Sequence, residues 1–265
     1  MLKPRKQKKN ARSNSTAWVL CGLVLAGAAG TAAWMGSRQK SRPNTLAARG
    51  NITSNATPAA EAMNLENPAS FRAWLGQQTN ASDLLNHGTT LLERGRGAQA
   101  ILCYRRALEL KPDDEEAHFN LGVTHMRMGQ WAEAEQSYRE ALKSFPEYVE
   151  AHNNLGNLLT RLKRFEEAVA EFSAALKLAP ENASAHNNLG RALAEQGVPA
   201  EALKHFAEAA RLDTNYVEAR FNLGSAYLTL GRTNDAVSAF TETLRLRPDF
   251  APARQALQRL PRAPR

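Results

Sequence analysis

From residue 81 to residue 250 the apolar and small positions fall on a fixed ruler. Glycines stand at Gly88, Gly122, Gly156, Gly190 and Gly224, each 34 residues from the last. Twelve residues after each comes a small residue: Ala100, Ala134, Ala168, Ala202, Ala236. Four further on is an aromatic, at Tyr104, Tyr138, Phe172, Phe206 and Phe240, and three beyond that Ala107, Ala141, Ala175, Ala209 or Thr243. Pro112, Pro146, Pro180 and Pro248 close the units, with Thr214 the exception. A constant period of this length predicts stacked pairs of antiparallel helices, each pair unable to bury its apolar face alone. The glycine and the small residues mark places where backbones approach closely, and the proline stops one helix and sets up the next. The expected units are 81–114, 115–148, 149–182, 183–216 and 217–250.

Around the glycines the chain reads HFNLG, HNNLG, HNNLG and RFNLG, with a degraded LLNHG in the first unit. Together with the alanine, aromatic and proline offsets, these phrases resemble the tetratricopeptide repeat (TPR). The resemblance covers about two thirds of the chain. It implies an all-α solenoid of five helix-turn-helix repeats whose first helices line a concave groove.

Both ends carry short amphipathic patterns. Residues 67–76, NPASFRAWLG, predict a helix capped by Asn67, opened by Pro68 and stopped at Gly76. Its Phe71, Trp74 and Leu75 fall on one face, which suits a cap on the first repeat within the segment 67–80. A partner or the bilayer surface is the alternative for that face. Residues 251–260 place Ala253, Ala256, Leu257 and Leu260 on one stripe, a second capping helix in the segment 251–265.

Ahead of the repeats the pattern changes. Residues 17–36 run without a charge, and twenty residues at about 1.5 Å each span about 30 Å, the thickness of a bilayer core. Trp18 and Trp34 sit near the two ends of this run. This predicts a transmembrane helix or signal anchor, with a cleaved signal peptide as the alternative. Six basic residues in 1–16, against four among Arg38, Lys40, Arg42 and Arg49, favour a cytoplasmic N-terminus. The repeats would then be extracytoplasmic, on the periplasmic side of a bacterial inner membrane. Residues 37–66 read as a flexible polar linker. Gly22, Ala26 and Gly30 share one ridge of the span, a spacing that suits self-association and equally a plain Ala/Gly-rich anchor.

Charge sharpens this division. The whole chain carries +8, but residues 81–250 hold 19 Lys and Arg against 24 Asp and Glu. The repeats are therefore mildly acidic and the basic charge lies in the ends, which argues against nucleic acid as a partner. Cys21 and Cys103 have no metal-binding or disulfide spacing.

No phosphate loop, dinucleotide fingerprint or zinc-protease helix is present, so no catalytic residue, cofactor or metal is expected. His118, His152 and His186 recur at the repeat period, but helices packed about 8–10 Å apart cannot bring all three to one ion about 2 Å away. The expected reading is packing. Asn is invariant two residues before each glycine, at Asn86, Asn120, Asn154, Asn188 and Asn222; the central repeats add Asn153 and Asn187, with Asn157 one turn on. A row of amides offers donors and acceptors to the backbone of an extended polypeptide. Phe119 and Phe221 would make the groove more apolar toward its ends. The ladder is similar to the TPR arm of O-linked N-acetylglucosamine transferases, but no catalytic domain follows it here. The resemblance thus implies a scaffold that binds a protein or peptide in its groove to assemble or localise a complex. The alternative is an accessory subunit that recruits substrates to a separate enzyme such as a glycosyltransferase. Asn as mere support for the turn is the plain reading beside both.

Overall fold

The structure, a computed structural model, describes residues 67–260. The expected membrane span, the linker and the residues after 260 lie outside them. Among the described residues all regular structure is helical, in twelve helices, and none is long and apolar enough to cross a membrane. A leading helix, α1 (Pro68–Gln77), is followed by five pairs. The first helices of the pairs are α2 (Ala81–Glu93), α4 (Glu115–Arg127), α6 (Val149–Arg161), α8 (Ala183–Glu195) and α10 (Val217–Thr229). The second helices are α3 (Gly97–Leu110), α5 (Trp131–Ser144), α7 (Phe165–Leu178), α9 (Pro199–Leu212) and α11 (Thr233–Leu246), and α12 (Ala251–Arg259) ends the row.

Each second helix packs on its own partner and on the first helix of the next pair. The first helices also touch their successors, α2 to α4, α4 to α6, α6 to α8 and α8 to α10. The row is therefore tighter along its first helices, which line the inner, concave face of a solenoid.

The repeated glycine owes its place to a ring. A Cβ added at Gly156 would stand 2.7 Å from Cε1 of Phe172, on the second helix of the same pair. Every repeat shows the same relationship, down to Gly88 beneath Tyr104. The close approach is thus ring to backbone, rather than backbone to backbone as the spacing suggested. Ala100, Ala134, Ala168, Ala202 and Ala236 are fully buried beside these rings.

The turn inside each pair was not foreseen in detail. Gly95, Gly129, Gly197 and Gly231 adopt φ of 72–86°, and Lys163 takes the equivalent place at φ 60°. Each closes a Schellman motif. In the third pair Arg164 N–H reaches the Leu159 carbonyl at 2.9 Å, and Lys163 N–H that of Thr160 at 3.0 Å.

The ends are closed by small helices. In α1, Asn67 accepts from the Ala69 N–H at 2.9 Å, and the helix runs one residue past Gly76. Phe71 is 1% exposed among Leu84, Leu91 and Tyr104. Trp74 lies 4.5 Å from the His87 ring, which explains a histidine where later repeats have leucine. Burial, then the nearby Arg94 charge, lowers the pKa of His87. In α12, Ala253 is buried, and Ala256, Leu257 and Leu260 pack around the Phe240 cluster.

Candidate functional site

The residue that opens each first helix decides what happens on the inner face. Asn80, Asp114 and Asn182 cap α2, α6's predecessor α4, and α8 through side-chain oxygens, which accept from Ser82, Ala117 and Ala185 N–H at 2.9–3.0 Å. Tyr148, Tyr216 and Phe250 occupy the same position before α6, α10 and α12 and make no such bond. Their rings instead reach the residue 29 places earlier. Tyr148 lies 4.9 Å from Phe119, and Phe250 lies 5.3 Å from Phe221. The Tyr216 hydroxyl accepts from Asn187 Nδ2 at 3.3 Å.

This rule sorts the position just before each ladder asparagine, where Phe119, Asn153, Asn187 and Phe221 stand. Phe119 is 4% exposed, held between Tyr148 and Tyr138, and Phe221 is wedged between Phe250 and Phe240. Asn187 and Asn222 are buried, and Asn222 Nδ2 donates to Asn187 Oδ1 at 2.9 Å. Asn120 is buried too, while Asn86 at the N-terminal end is exposed. In the third pair the covering position holds Asn182, whose oxygen is engaged at its own helix. Asn153 is left uncovered by any ring, and its Oδ1 is buried without a hydrogen bond. Asn154, Asn157 and Asn188 are partly exposed, and their side-chain amides bond to no other described residue.

The structure therefore brings Asn153, Asn154 and Asn157 of α6 and Asn188 of α8 to the middle of the concave face. It draws Phe119, Asn187, Asn222 and Phe221 inward, into contacts between repeats, and buries Asn120. The sequence also places Arg191 one turn beyond the Asn pair of the fourth repeat. It stands on α8 at the register that Asn157 holds on α6, partly buried. Burial lowers its pKa, opposed by Tyr216 and Glu195 nearby.

The histidine row also has a definite role. Nε2 of His118, His152 and His186 lies 2.9–3.0 Å from the carbonyls of Pro112, Pro146 and Pro180. A carbonyl only accepts, so each Nε2 carries the proton. Arg220 and Arg254 replace them, donating to the carbonyls of Thr214 and Pro248 at 2.8–3.1 Å. The common requirement is a long donor that ties one repeat's closing turn to the next first helix. The other nitrogen varies: His152 Nδ1 meets Glu171 Oε2 at 2.6 Å, and His186 Nδ1 meets His205 Nδ1 at 3.0 Å.

Sequence models of the tetratricopeptide repeat match residues 121–183 and 181–249, and a TPR repeat model matches 88–129. Comparison with curated proteins gave no match. Among solved structures, YrrB, described as a TPR protein with an unusual peptide-binding site, has a TM-score of 0.60 at 23% identity over 71% of this chain and 97% of its own. MamA from Desulfovibrio magneticus RS-1 has a TM-score of 0.60 at 20% identity, over 65% of this chain and 99% of its own. Pseudomonas aeruginosa pilF has 0.53 at 23% identity, over 68% and 97%. At these identities the likeness is one of fold. With the ring-on-glycine packing repeated in all five helix pairs, the three matches make residues 88–249 tetratricopeptide repeats, and the chain belongs to that family.

Proposed function

We propose that this chain is a membrane-anchored scaffold that holds an extended polypeptide in the middle of its concave groove. The observation that carries this reading is the set of three partly exposed amides, Asn154, Asn157 and Asn188, that bond to no other described residue. Each has two N–H donors and a carbonyl acceptor, the complement of a peptide backbone. Contacts of this kind give affinity with little regard to the ligand's side chains. The description of YrrB as peptide-binding supports a peptide ligand. The chain acts by binding rather than by catalysis. The uncharged run 17–36 anchors it, with the repeats on the extracytoplasmic side, where they assemble or localise a complex.

Crosslinking in native membranes tests this, comparing wild type with the Asn154→Ala/Asn188→Ala double variant. Loss of a crosslinked partner in a variant that melts like wild type places binding in the groove. A partner retained equally by both proteins rejects the groove as the site. The resemblance of the Asn ladder to glycosyltransferase TPR arms favours a second reading. A crosslinked enzyme whose activity falls with the double variant would make the chain its substrate-recruiting subunit. Carbonate extraction of membranes tests the anchor, since a spanning helix keeps the protein in the pellet.

A further inference from the structure

The turns of the solenoid fall on two edges. Each first helix ends at a tight turn and each second helix runs back. The turns inside the pairs therefore gather along one edge, and the turns that follow the second helices gather along the other. Helices of 13 and 14 residues hold the two edges about 20 Å apart. Counted from the last residue of one helix to the first of the next, the five turns inside the pairs hold seven Lys and Arg against two Glu, a net of +5. The five turns that follow the second helices hold seven Asp and Glu against two Lys and Arg, a net of −5. The third pair's turn, with Arg161, Lys163 and Arg164, is the most basic, and the fourth pair's, with Glu195, is the exception. Arg94, Arg127 and Lys163 on the basic edge, and Asp113, Glu147 and Asp249 on the acidic edge, are exposed and form no ion pair with the described residues. Among the described residues, six of the seven large apolar side chains that stand exposed are on these edges as well. Met128, Leu162, Val198 and Leu230 are on the basic one and Leu110 and Leu178 on the acidic one, each 36–44% exposed.

A single exposed ion pair adds little to an interface. A row of one sign facing a row of the other does more, because it steers two surfaces together and sets their register. Both rows here belong to the same repeat, so they share one spacing along the solenoid. A second copy set beside the first in the same orientation brings basic turns opposite acidic turns, with the apolar steps of both edges between them. A twofold contact of one edge with itself would instead oppose like charges. Contact between unlike edges leaves a free edge at each end, so it does not close on itself.

We infer that the partner for these edges is a second copy of this chain, docked side by side in the same orientation, and that the chain assembles into salt-sensitive rows. The edges lie at the ends of the helices and not along the inner face, so each copy in a row keeps its groove open. A ligand with several binding segments is then held by several copies at once. The inference needs neither the groove reading nor the membrane anchor.

The test follows the size of the full-length protein in nonionic detergent by sedimentation velocity. In low salt the wild-type protein mass should rise about twofold or more between micromolar and millimolar concentration. It should fall back in about 1 M salt, where the Debye length is about 3 Å. The variants Arg94→Glu/Arg127→Glu/Lys163→Glu and Asp113→Lys/Glu147→Lys/Asp249→Lys should each stay at the smallest size, because both edges then carry one sign. Mixed in equal amounts, the two should associate as the wild type does. Should a triple variant not fold, Lys163→Glu and Asp113→Lys carry the same mixing test. A folded variant that associates alone as strongly as wild type overturns the inference and moves the contact to the solenoid ends or the span. A mixture that gains nothing over its two parts also overturns it. So does a wild-type protein of constant, smallest size; if that protein binds vesicles of phosphatidylcholine and phosphatidylglycerol and the basic-edge variant does not, the basic edge belongs to an anionic membrane instead.

Discussion

Asn222 donates a 2.9 Å hydrogen bond to Asn187 Oδ1 across a repeat boundary, and both amides are buried. Two residues of the same repeated phrase thus form a strut between the fourth and fifth repeats. Asn154 and Asn188, from the same phrase, make no such link. Asn222→Ala strands the Asn187 carbonyl and should cost about 1–3 kcal/mol in a denaturant titration. Asn154→Ala and Asn188→Ala should each stay within about 0.5 kcal/mol of wild type. Equal losses at all three positions would show that the whole ladder is structural.

Gly156 lies against the Phe172 ring, with room for no side chain. Gly156→Ala should destabilise by about 1–3 kcal/mol, because the ring must move within a packed core. Gly156→Leu should damage folding outright. A shorter side chain at residue 172 makes space, so Gly156→Ala should cost less in a Phe172→Leu background than in wild type. Thermal melts of the four proteins of that cycle settle the coupling.

Lys163 holds a left-handed conformation, φ 60°, where the other four repeats have glycine. Its Cβ crowds the following carbonyl, which a glycine avoids. Lys163→Gly should raise stability by about 1 kcal/mol, after allowing for glycine's greater freedom when unfolded. A fall in the melting temperature would mean that the Lys163 side chain makes contacts that outweigh the strain.

His152 and His205 should give stability opposite slopes with pH. Burial works against the His152 charge, but its bonds to Glu171 and the Pro146 carbonyl outweigh it and raise its pKa. Both partners only accept, so the folded ring carries both protons. The stability it adds is full below the unfolded value of about 6.5 and is lost as pH rises through the folded one. Burial, then the facing His186 charge, lowers the pKa of His205; Lys204 adds to this and Glu201 opposes it. Its stability is present above about pH 6.5 and is lost as pH falls through the folded value. In chemical denaturation across pH 5–8, His152→Gln should flatten the alkaline limb and His205→Gln the acid limb. A profile unchanged in His152→Gln would show that the Glu171 pair adds no net stability.

The repeats were legible because they depend on local spacing. Five glycines 34 residues apart, each with a ring sixteen residues on, describe one packing event repeated five times. The caps were nearly as clear, from Asn67 and Pro68 at one end and the Ala253 stripe at the other. The Schellman turns could have been read from Gly95, Gly129, Gly197 and Gly231, which keep the same period.

The role of each asparagine could not be read the same way. Periodicity, carried within each repeat, gives the helix pairs and their order, and the family resemblance implies the inner position of the Asn row. Whether the position just before each ladder asparagine (Phe119, Asn153, Asn187 or Phe221) is covered follows from the fold alone. That depends on a residue 29 places later, where Tyr148, Tyr216 and Phe250 reach back and Asn182 does not. Whether a ring covers a position is a matter of packing between neighbouring repeats, and identical HNNLG phrases therefore end in different surroundings. Asn187 is locked into the core and Asn153 is left uncovered because the next first helix is opened by Tyr216 in one case and by Asn182 in the other.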